Sequence, residues 1–290
     1  MENGTVIANP IYDAVFKNLM SIDGGTNKDI AGYFIGAILG EEIADVDFLP
    51  QEYPVKKTKR TKNNKREATA TVRMDFVATI RTKTGESKKV LIEIQKTNKP
   101  TDLERFRMYI GRQYQQIDGI KIKDGMVEET LPIVVIYLLG FNLPEIDTVA
   151  FMVPRLYIDL ICDGEIKKRN LFVESLTHDG YFIQIARIRR EMYRDWGKCN
   201  ELLKMLSVFE QDYFIDETTT TKKYPYLTND KNLSAMIARL EFIAADSYMQ
   251  RVMLEEYWAA RNEEIWEMEI AEKDAKIAEL ERRLGINGAH

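Results

Sequence analysis

The segment LPIVVIYLL, residues 131–139, limits the fold of this chain more than any other stretch. A strand with one solvated face alternates apolar and polar side chains, because successive side chains point to opposite faces. This segment is apolar on both faces, so both faces must be buried. Strands of this kind lie at the centre of a sheet that helices cover on both sides. The segment therefore predicts an α/β fold.

Neighbouring segments supply the rest of such a sheet. Residues 73–82 and 88–95 predict two strands joined through KTGES, and residues 28–40 and 101–119 predict helices. The first of these helices has apolar residues at helical spacing and stops at Gly40, because glycine commonly follows the last helical turn. Helix, strands, helix and apolar strand follow one another in this order along the chain.

Composition and charge narrow the class of protein. The chain has 290 residues, of which 45% are hydrophobic, enough for a large globular core. A net charge of −5 does not indicate a general polyanion binder, so any nucleic-acid site must be a local basic patch. Two cysteines and two histidines argue against a disulfide framework and against a zinc site. The longest apolar run is too short to span a bilayer, and we expect a cytoplasmic protein.

Two of the predicted strands carry polar side chains on an apolar background. Glu93 and Gln95 share one face of the strand 88–95, and Asp75 is the acidic residue of the strand 73–82. If these strands form an antiparallel hairpin, one register places Asp75 opposite Glu93 and another places it opposite Gln95. Either register brings the three polar side chains together on one face of the sheet.

Two carboxylates held side by side repel each other and shift each other's pKa. A divalent cation relieves this repulsion, and Mg²⁺ binds through one or two carboxylates together with water and substrate phosphate. Asp75, Glu93 and Gln95 therefore predict half of a metal site that activates water for attack on a phosphoryl group. The alternative is a solvated sheet face, where isolated acidic residues are common.

These residues belong to an ordered set of motifs. The segment DAVFK comes first, Asp75 follows, then the strand with Glu-Ile-Gln, and the next helix has an Arg-x-x-x-Tyr spacing. This order resembles the PD-(D/E)xK nuclease superfamily, and more closely its branch of recombination-promoting nucleases and PD-(D/E)xK family transposases. The resemblance covers about residues 9–140 and rests on Asp13, Phe16, Lys17, Asp75, Glu93, Gln95, Arg105 and Tyr109.

The resemblance implies an α/β fold with a restriction-endonuclease-like mixed β-sheet flanked by helices, an order of elements that residues 28–139 match. It also implies a metal-dependent DNA endonuclease linked to recombination or transposition. Asp75, Glu93 and the backbone carbonyl of Ile94 would bind Mg²⁺ or Mn²⁺. Most of the superfamily has Lys where this chain has Gln95, which can orient a water but adds no positive charge. Lys96 is adjacent, but strand alternation points it to the other face. The alternative is a nuclease-fold DNA-binding or assembly protein with little or no turnover.

Further residues predict contacts around this site. Arg105, Tyr109 and Arg112 recur at helical spacing, and we interpret them as substrate- and phosphate-positioning residues or, alternatively, as a solvated helix face. Asp13 predicts a third acidic catalytic group, and the alternative is an exposed ion pair with Lys17 one turn later.

The basic run KKTKRTKNNKREATAT, residues 56–71, predicts a contact with DNA phosphates. It contains no large apolar residue, which is typical of a mobile loop or an exposed hairpin tip. Because the rest of the protein is acidic, Lys59, Arg60, Lys62 and Lys65 favour binding to DNA phosphates over a merely solvated connection.

The pattern divides the chain into a nuclease-like part at 9–145, a mixed continuation at 146–231 and a helical segment at 232–290. In the continuation, AFMVPRLYIDLIC and RNLFVESL predict strands, and DETTTTKKYPY predicts a loop.

The C-terminal helix spaces Ile270, Ile277 and Leu284 by seven residues, with Leu280 between them. This spacing predicts a short coiled coil and a homo-oligomer, and the alternative is a helix packed on its own domain. A protein-interaction module built on the C-terminal helices is a third hypothesis for the function.

Overall fold

The computed structural model describes residues 4–20, 27–49, 52–61, 64–73, 75–97, 99–122, 125–192 and 196–284. Their helices and strands are, in chain order, β1 (Thr5–Ala8), α1 (Asp13–Met20), α2 (Asn27–Leu39), β2 (Ile43–Phe48), β3 (Glu52–Thr61), β4 (Asn64–Arg73), β5 (Phe76–Thr82), β6 (Ser87–Gln95), α3 (Pro100–Tyr114), β7 (Asp118–Ile122), β8 (Gly125–Glu129), β9 (Ile133–Leu139), β10 (Ala150–Val153), β11 (Ile158–Asp159), β12 (Gly164–Glu165), α4 (Leu171–Glu174), β13 (His178–Gln184), α5 (Ile188–Met192), α6 (Glu201–Leu206), β14 (Thr221–Tyr224), α7 (Lys231–Ala245) and α8 (Ser247–Leu284). Short 3-10 turns lie at Ile185–Arg187, Trp196–Lys198 and Ser207–Phe209.

The central sheet has six strands in the order β10-β13-β9-β6-β5-β2. Strands β13, β9 and β6 are parallel, and β10, β5 and β2 run antiparallel to their neighbours. The apolar strand β9 lies inside the sheet and is buried except for the half-buried Tyr137. The α/β class and the mixed sheet flanked by helices are thus confirmed, and the fold is restriction-endonuclease-like. The sheet includes β10 and β13 and so continues past residue 145, where the sequence placed a boundary.

The antiparallel hairpin of β5 and β6 has one of the two registers that the sequence left open. Phe76 is opposite Ile92, so position 75 falls opposite Glu93. The backbone N–H of Thr82 donates to the carbonyl of Glu86 over 2.8 Å and closes a three-residue turn. Gly85 in this turn has a φ of +94°, a left-handed conformation that glycine adopts without steric cost.

The two faces of β6 enter different cores. Ile92 and Ile94 belong to the main core, which also contains buried residues of α1, α2 and α7. Leu91 points the other way into a smaller core with Phe106 and Ile110 of α3. The alternation therefore places Glu93 on the face of the sheet that α3 covers.

Phe16 packs α1 against the central sheet. Its fully buried ring contacts Phe34 of α2 and Phe76 of β5 edge to face, with centroid distances of 6.1 and 6.4 Å. Truncating such a ring to alanine typically costs about 3–5 kcal/mol of folding free energy. Because Phe16 lies in the first turn of α1, this contact also fixes Asp13 relative to the start of β5.

The C-terminal part of the chain packs on the same core. Strand β14 pairs with β1, and the hydroxyl of Tyr12 donates to the carbonyl of Thr218 over 2.8 Å. Helices α7 and α8 both contact α1. Among the described helices, none combines the length and the apolar character needed to cross a membrane.

Three local predictions were wrong. The segment RNLFVESL forms α4 rather than a strand, because the Asn170 side chain caps the helix by accepting from the Phe172 N–H. The segment DETTTTKKYPY contains β14, which forms because β1 offers it a distant partner. The predicted helix 101–119 ends at Tyr114, and β7 begins at Asp118.

Candidate active site

Asp75 and Glu93 meet at one end of the central sheet. Asp75 directly precedes β5, and its Oδ2 accepts a hydrogen bond of 2.7 Å from the backbone N–H of Ile94. In return, the backbone N–H of Asp75 donates to the carboxylate of Glu93. These two hydrogen bonds join the start of β5 to the end of β6, in agreement with the register that places position 75 opposite Glu93.

Both carboxyl groups are buried, and burial shifts their protonation. Asp75 is 9% exposed and Glu93 is 3% exposed. Burial and the nearby charge of Asp13 raise the pKa of Asp75 to about 6, although the Ile94 hydrogen bond opposes this shift. Burial and the charge of Asp75 raise the pKa of Glu93 as well. The pair is thus poised for a positive ion that would stabilise the ionised forms.

The carboxylate of Glu93 has only part of its hydrogen-bonding capacity filled by the described residues around it. Its Oε2 is buried and, within the described residues, has no hydrogen-bond partner. The guanidinium of Arg105 is 3.6 Å from its Oε1, which is ion-pair distance without a short hydrogen bond. An unsatisfied buried carboxylate oxygen is costly in a folded protein.

The residues at this end of the sheet fit a hard divalent cation. An oxygen-only set of two carboxylates, one of them with a buried oxygen in need of a partner, matches the ligand chemistry of Mg²⁺ and Mn²⁺. No group of three His, Cys, Asp or Glu side chains in the described part of the chain could hold a metal ion by itself. Mg²⁺ does not need such a group, since it usually keeps several waters.

Gly140 fixes the end of β6 beside this pair. Its backbone N–H donates to the carbonyl of Gln95 over 2.9 Å. A Cβ on Gly140 would lie 3.2 Å from the carbonyl oxygen of Lys96 and 3.3 Å from its Cα, which is tighter than ordinary contact. Glycine therefore lets the chain after β9 approach the half-buried Gln95 and the residue that follows it.

Asp13 lies at the more exposed side of the pair, with a side chain that is 47% exposed. The ammonium of Lys96 is 3.5 Å from its Oδ1, and the same ammonium forms an ion pair with Glu256 of α8. The charges of Lys17 and Lys96 both act on Asp75 and lower its pKa. Asp13 and Lys17 are thus neighbours of the buried pair.

A family model described as PD-(D/E)XK nuclease family transposase matches residues 10–156, just over half of the chain. The chain belongs to this family. No curated protein and no solved structure matches it. The matched range includes Asp13, Asp75 and Glu93, whereas Glu256 lies beyond it.

In this PD-(D/E)XK family member, α3 does not present its predicted substrate stripe as one exposed face. Arg105 is half exposed beside Glu93, and Arg112 is exposed farther along the helix. Tyr109 instead is 3% exposed and packs in the smaller core with Phe106, because α3 needs large side chains against the sheet. The assignment of Tyr109 to a DNA-contacting surface therefore conflicts with its burial, and contacts of Arg105 and Arg112 with DNA stay predictions.

The basic run forms a hairpin, the second of the two forms expected for it. Strands β3 and β4 pair in a register that sets Lys59 opposite Arg66 and Arg60 opposite Lys65. Lys62 lies outside the described residues. Since β4 ends at Arg73, the base of the hairpin adjoins Asp75 two residues later.

Sequence reasoning set aside Lys96 and missed Glu256. Lys96 follows the last residue of β6, so the strict alternation that assigned it to the far face no longer governs its side chain. Glu256 is one of many glutamates on a helix with heptad-like spacing, and no sequence pattern distinguishes it from the others.

Proposed function

We propose that this chain is a Mg²⁺-dependent endonuclease that hydrolyses DNA phosphodiesters in recombination or transposition. The observation that carries the proposal is the buried pair of Asp75 and Glu93, which burial and, second, the neighbouring carboxylates give raised pKa values. Membership of the PD-(D/E)XK nuclease family transposases supports nuclease-related chemistry.

Each residue of the site has a role in this proposal. Asp75, Glu93 and the carbonyl of Ile94 would hold the ion, with Mn²⁺ as an acceptable substitute for Mg²⁺. When bound, such an ion would supply Lewis-acid chemistry that lowers the pKa of a water and polarises a phosphoryl oxygen. Gln95 orients the attacking water, since its amide both donates and accepts hydrogen bonds. Asp13 provides a third acidic group on the solvent side.

The basic hairpin supports binding of the DNA substrate. Like charges at opposed positions, such as Lys59 with Arg66 and Arg60 with Lys65, disfavour a free hairpin. Phosphates relieve that repulsion, and the hairpin base adjoins the acidic pair. Arg105 on α3 adds positive charge beside the same site, and Arg112 adds a further positive charge farther along the helix.

A cleavage assay tests the proposal. Plasmid DNA should be nicked or cut with Mg²⁺ or Mn²⁺, and EDTA should stop the reaction. Asp75→Asn and Glu93→Gln should reduce cleavage to the background, because each keeps the shape but removes a charged ligand. Asp45→Asn is the matched control, since Asp45 lies on β2 outside the site and pairs with Lys28 of α2. Full activity in Asp75→Asn would contradict the proposal.

A second candidate is a DNA-binding or assembly protein without turnover, and Gln95 in place of a lysine favours it. It predicts salt-sensitive DNA binding with no cleavage under any divalent cation. Single-turnover assays with enzyme in excess over a labelled duplex separate the two functions, because they detect even slow cutting.

Self-association through α8 stays a prediction. The side chains of Ile270, Ile277 and Leu280 are about half exposed, at 52%, 53% and 48%, on the projecting part of α8. A second copy of the helix would bury them as a coiled coil. Sedimentation equilibrium should show a dimer that Ile277→Lys converts to a monomer, and a monomeric wild type would contradict this arrangement.

A further inference from the structure

The long helix α8 reaches the candidate active site through Glu256. The Oε1 atom of Glu256 accepts a hydrogen bond of 3.0 Å from the backbone N–H of Asp13 and also forms the ion pair with Lys96. Asp13 is the first residue of α1, where backbone N–H groups have no partner inside the helix. The side chain of Glu256 is 22% exposed, so α1, the end of β6 and α8 meet at one partly buried glutamate.

Lys96 is held on several sides next to the acidic pair. Besides Glu256, its ammonium is 3.5 Å from Asp13 Oδ1 and 5.3 Å from the centroid of the Tyr12 ring. Its positive charge acts on Asp75 across the end of the sheet. The ammonium is therefore fixed at the site, although β6 itself ends one residue earlier.

Lys96 lies next to the position where the sequence motif of this chain lacks a positive charge. Gln95 occupies the place where a lysine would add positive charge near the attacked phosphate, and an amide cannot supply that charge. The next residue brings an ammonium to the same end of the sheet, where it forms ion pairs with Glu256 of α8 and Asp13 of α1.

We propose that Glu256 is a positioning residue that holds the ammonium of Lys96 beside Asp13 and Asp75. There, Lys96 supplies the positive charge that Gln95 lacks. This inference rests on the proposed metal-dependent cleavage and assigns the C-terminal helix a part in it. The active site is then incomplete in the family-matched region alone, because Glu256 lies a hundred residues beyond its end.

The same helix offers a matched control for this role. Lys99, at the start of α3, forms ion pairs with Glu267 at 2.6 Å and Glu263 at 3.6 Å of α8. These bridges join α8 to the body of the protein in the same way, but they do not contact Asp13, Asp75 or Glu93. Glu267→Gln thus removes a comparable bridge without touching Lys96.

The test is a double-mutant cycle of Glu256→Gln and Lys96→Met in the full chain. The glutamine keeps an acceptor for the Asp13 N–H, so folding is retained, and thermal unfolding checks this. Each single substitution should lower the cleavage rate about tenfold, as loss of an outer partner of a metal site does. The double variant should be no slower than Lys96→Met, because Glu256 acts through Lys96. Lys96→Arg should keep most of the activity, and Glu267→Gln all of it.

Mn²⁺ titration by calorimetry gives a readout that does not depend on cleavage. Lys96→Met should tighten Mn²⁺ binding, because a positive charge beside the ligands is removed, while cleavage falls. If Lys96→Met only disturbed the structure of the site, both Mn²⁺ affinity and the cleavage rate should fall. In the Glu256→Gln background the tightening should be smaller, since the ammonium is no longer held at the site.

The outcomes separate this inference from the proposed function. Additive effects of the two substitutions, or an equal loss in Glu267→Gln, would overturn the role of Glu256 while metal-dependent cleavage by the wild type stands. A wild type that neither binds Mn²⁺ nor cleaves DNA would overturn the proposed function and this inference together.

Discussion

The Oδ2 atom of Asp75 accepts a hydrogen bond of 2.7 Å from the backbone N–H of Ile94, the residue between Glu93 and Gln95. This bond favours the ionised form of Asp75, yet burial and Asp13 outweigh it and raise its pKa to about 6. The folded protein therefore holds the Asp75 proton more tightly than the unfolded chain does, and without a cation the ionisation of Asp75 at neutral pH reduces the folding free energy. The buried carboxylates thus favour binding of a cation and lower the folding stability of the metal-free protein.

We expect Asp75→Asn to stabilise the metal-free protein. A folded-state pKa near 6, against an ordinary value of 3.8, means that stability is fully present below about pH 4 and is lost as the pH rises through 6. At pH 7.5 the loss is on the order of 3 kcal/mol. Asparagine carries no charge and still accepts from the Ile94 N–H, so the Tm in EDTA should rise by several degrees at pH 7.5 and little at pH 4.

Mg²⁺ supplies the control for that experiment. Its ligands must be ionised, so Mg²⁺ should raise the Tm of the wild type more at pH 8 than at pH 5. The increment should disappear in Asp75→Asn. A Tm that responds equally to Mg²⁺ at both pH values, or in both proteins, would contradict the assignment of Asp75 as a ligand.

The sheet was predictable because strand periodicity depends only on local geometry. The alternation in β6 and the apolar run of β9 fixed which faces are buried, and they limited the β5–β6 register to two forms. The pairing of β14 with β1 was not predictable, because a short polar segment becomes a strand only when a distant edge accepts it. Capping by Asn170 likewise outweighed the β-branched and aromatic residues of RNLFVESL.

The sequence predicted that Asp75 and Glu93 lie together, but it did not predict the residues around them. Asp75 and Glu93 share a face by alternation, whereas Lys96 lies past the strand end and Glu256 comes from another helix. Tyr109 is buried in the smaller core, and helical spacing alone cannot tell an exposed stripe of side chains from one that packs on a sheet.

Gly140→Ala should damage the site through the backbone. The new Cβ would press on the carbonyl oxygen and Cα of Lys96 at 3.2 and 3.3 Å, and backbone atoms move less readily than a flexible side chain. We expect a destabilisation of about 1–3 kcal/mol and a larger loss of cleavage, because the end of β6 shifts. Chemical denaturation and cleavage rates check this, and Gly111→Ala, where a Cβ meets nothing within 4 Å, is the control.

Substitutions of Gln95 test its role as a water-orienting residue. Gln95→Ala should lower the cleavage rate about tenfold or more while leaving Mn²⁺ affinity nearly unchanged, because the side chain is not a metal ligand. Gln95→Lys should retain or raise activity, since it adds a positive charge where the phosphate becomes more negative. A Gln95→Ala variant with wild-type rates would remove Gln95 from the mechanism.

The basic hairpin should bind DNA through phosphates alone. Replacing Lys59, Arg60, Lys62 and Lys65 with Gln in an Asp75→Asn background, which prevents cutting, should weaken duplex binding. Each lost phosphate contact reduces the slope of log K against log salt by about 0.9, so the slope should flatten by up to about 3.6. Fluorescence anisotropy at several salt concentrations measures it.

The control for the hairpin replaces four exposed basic residues elsewhere in the chain, Lys167, Lys168, Lys276 and Arg282. It matches the change in net charge, so an equal flattening in this variant would mean that total charge, and not the hairpin, governs binding. An unchanged slope in the hairpin variant would show that the run is only a solvated connection. Because phosphates carry no sequence information, the hairpin variant should lose affinity equally on duplexes of unrelated sequence.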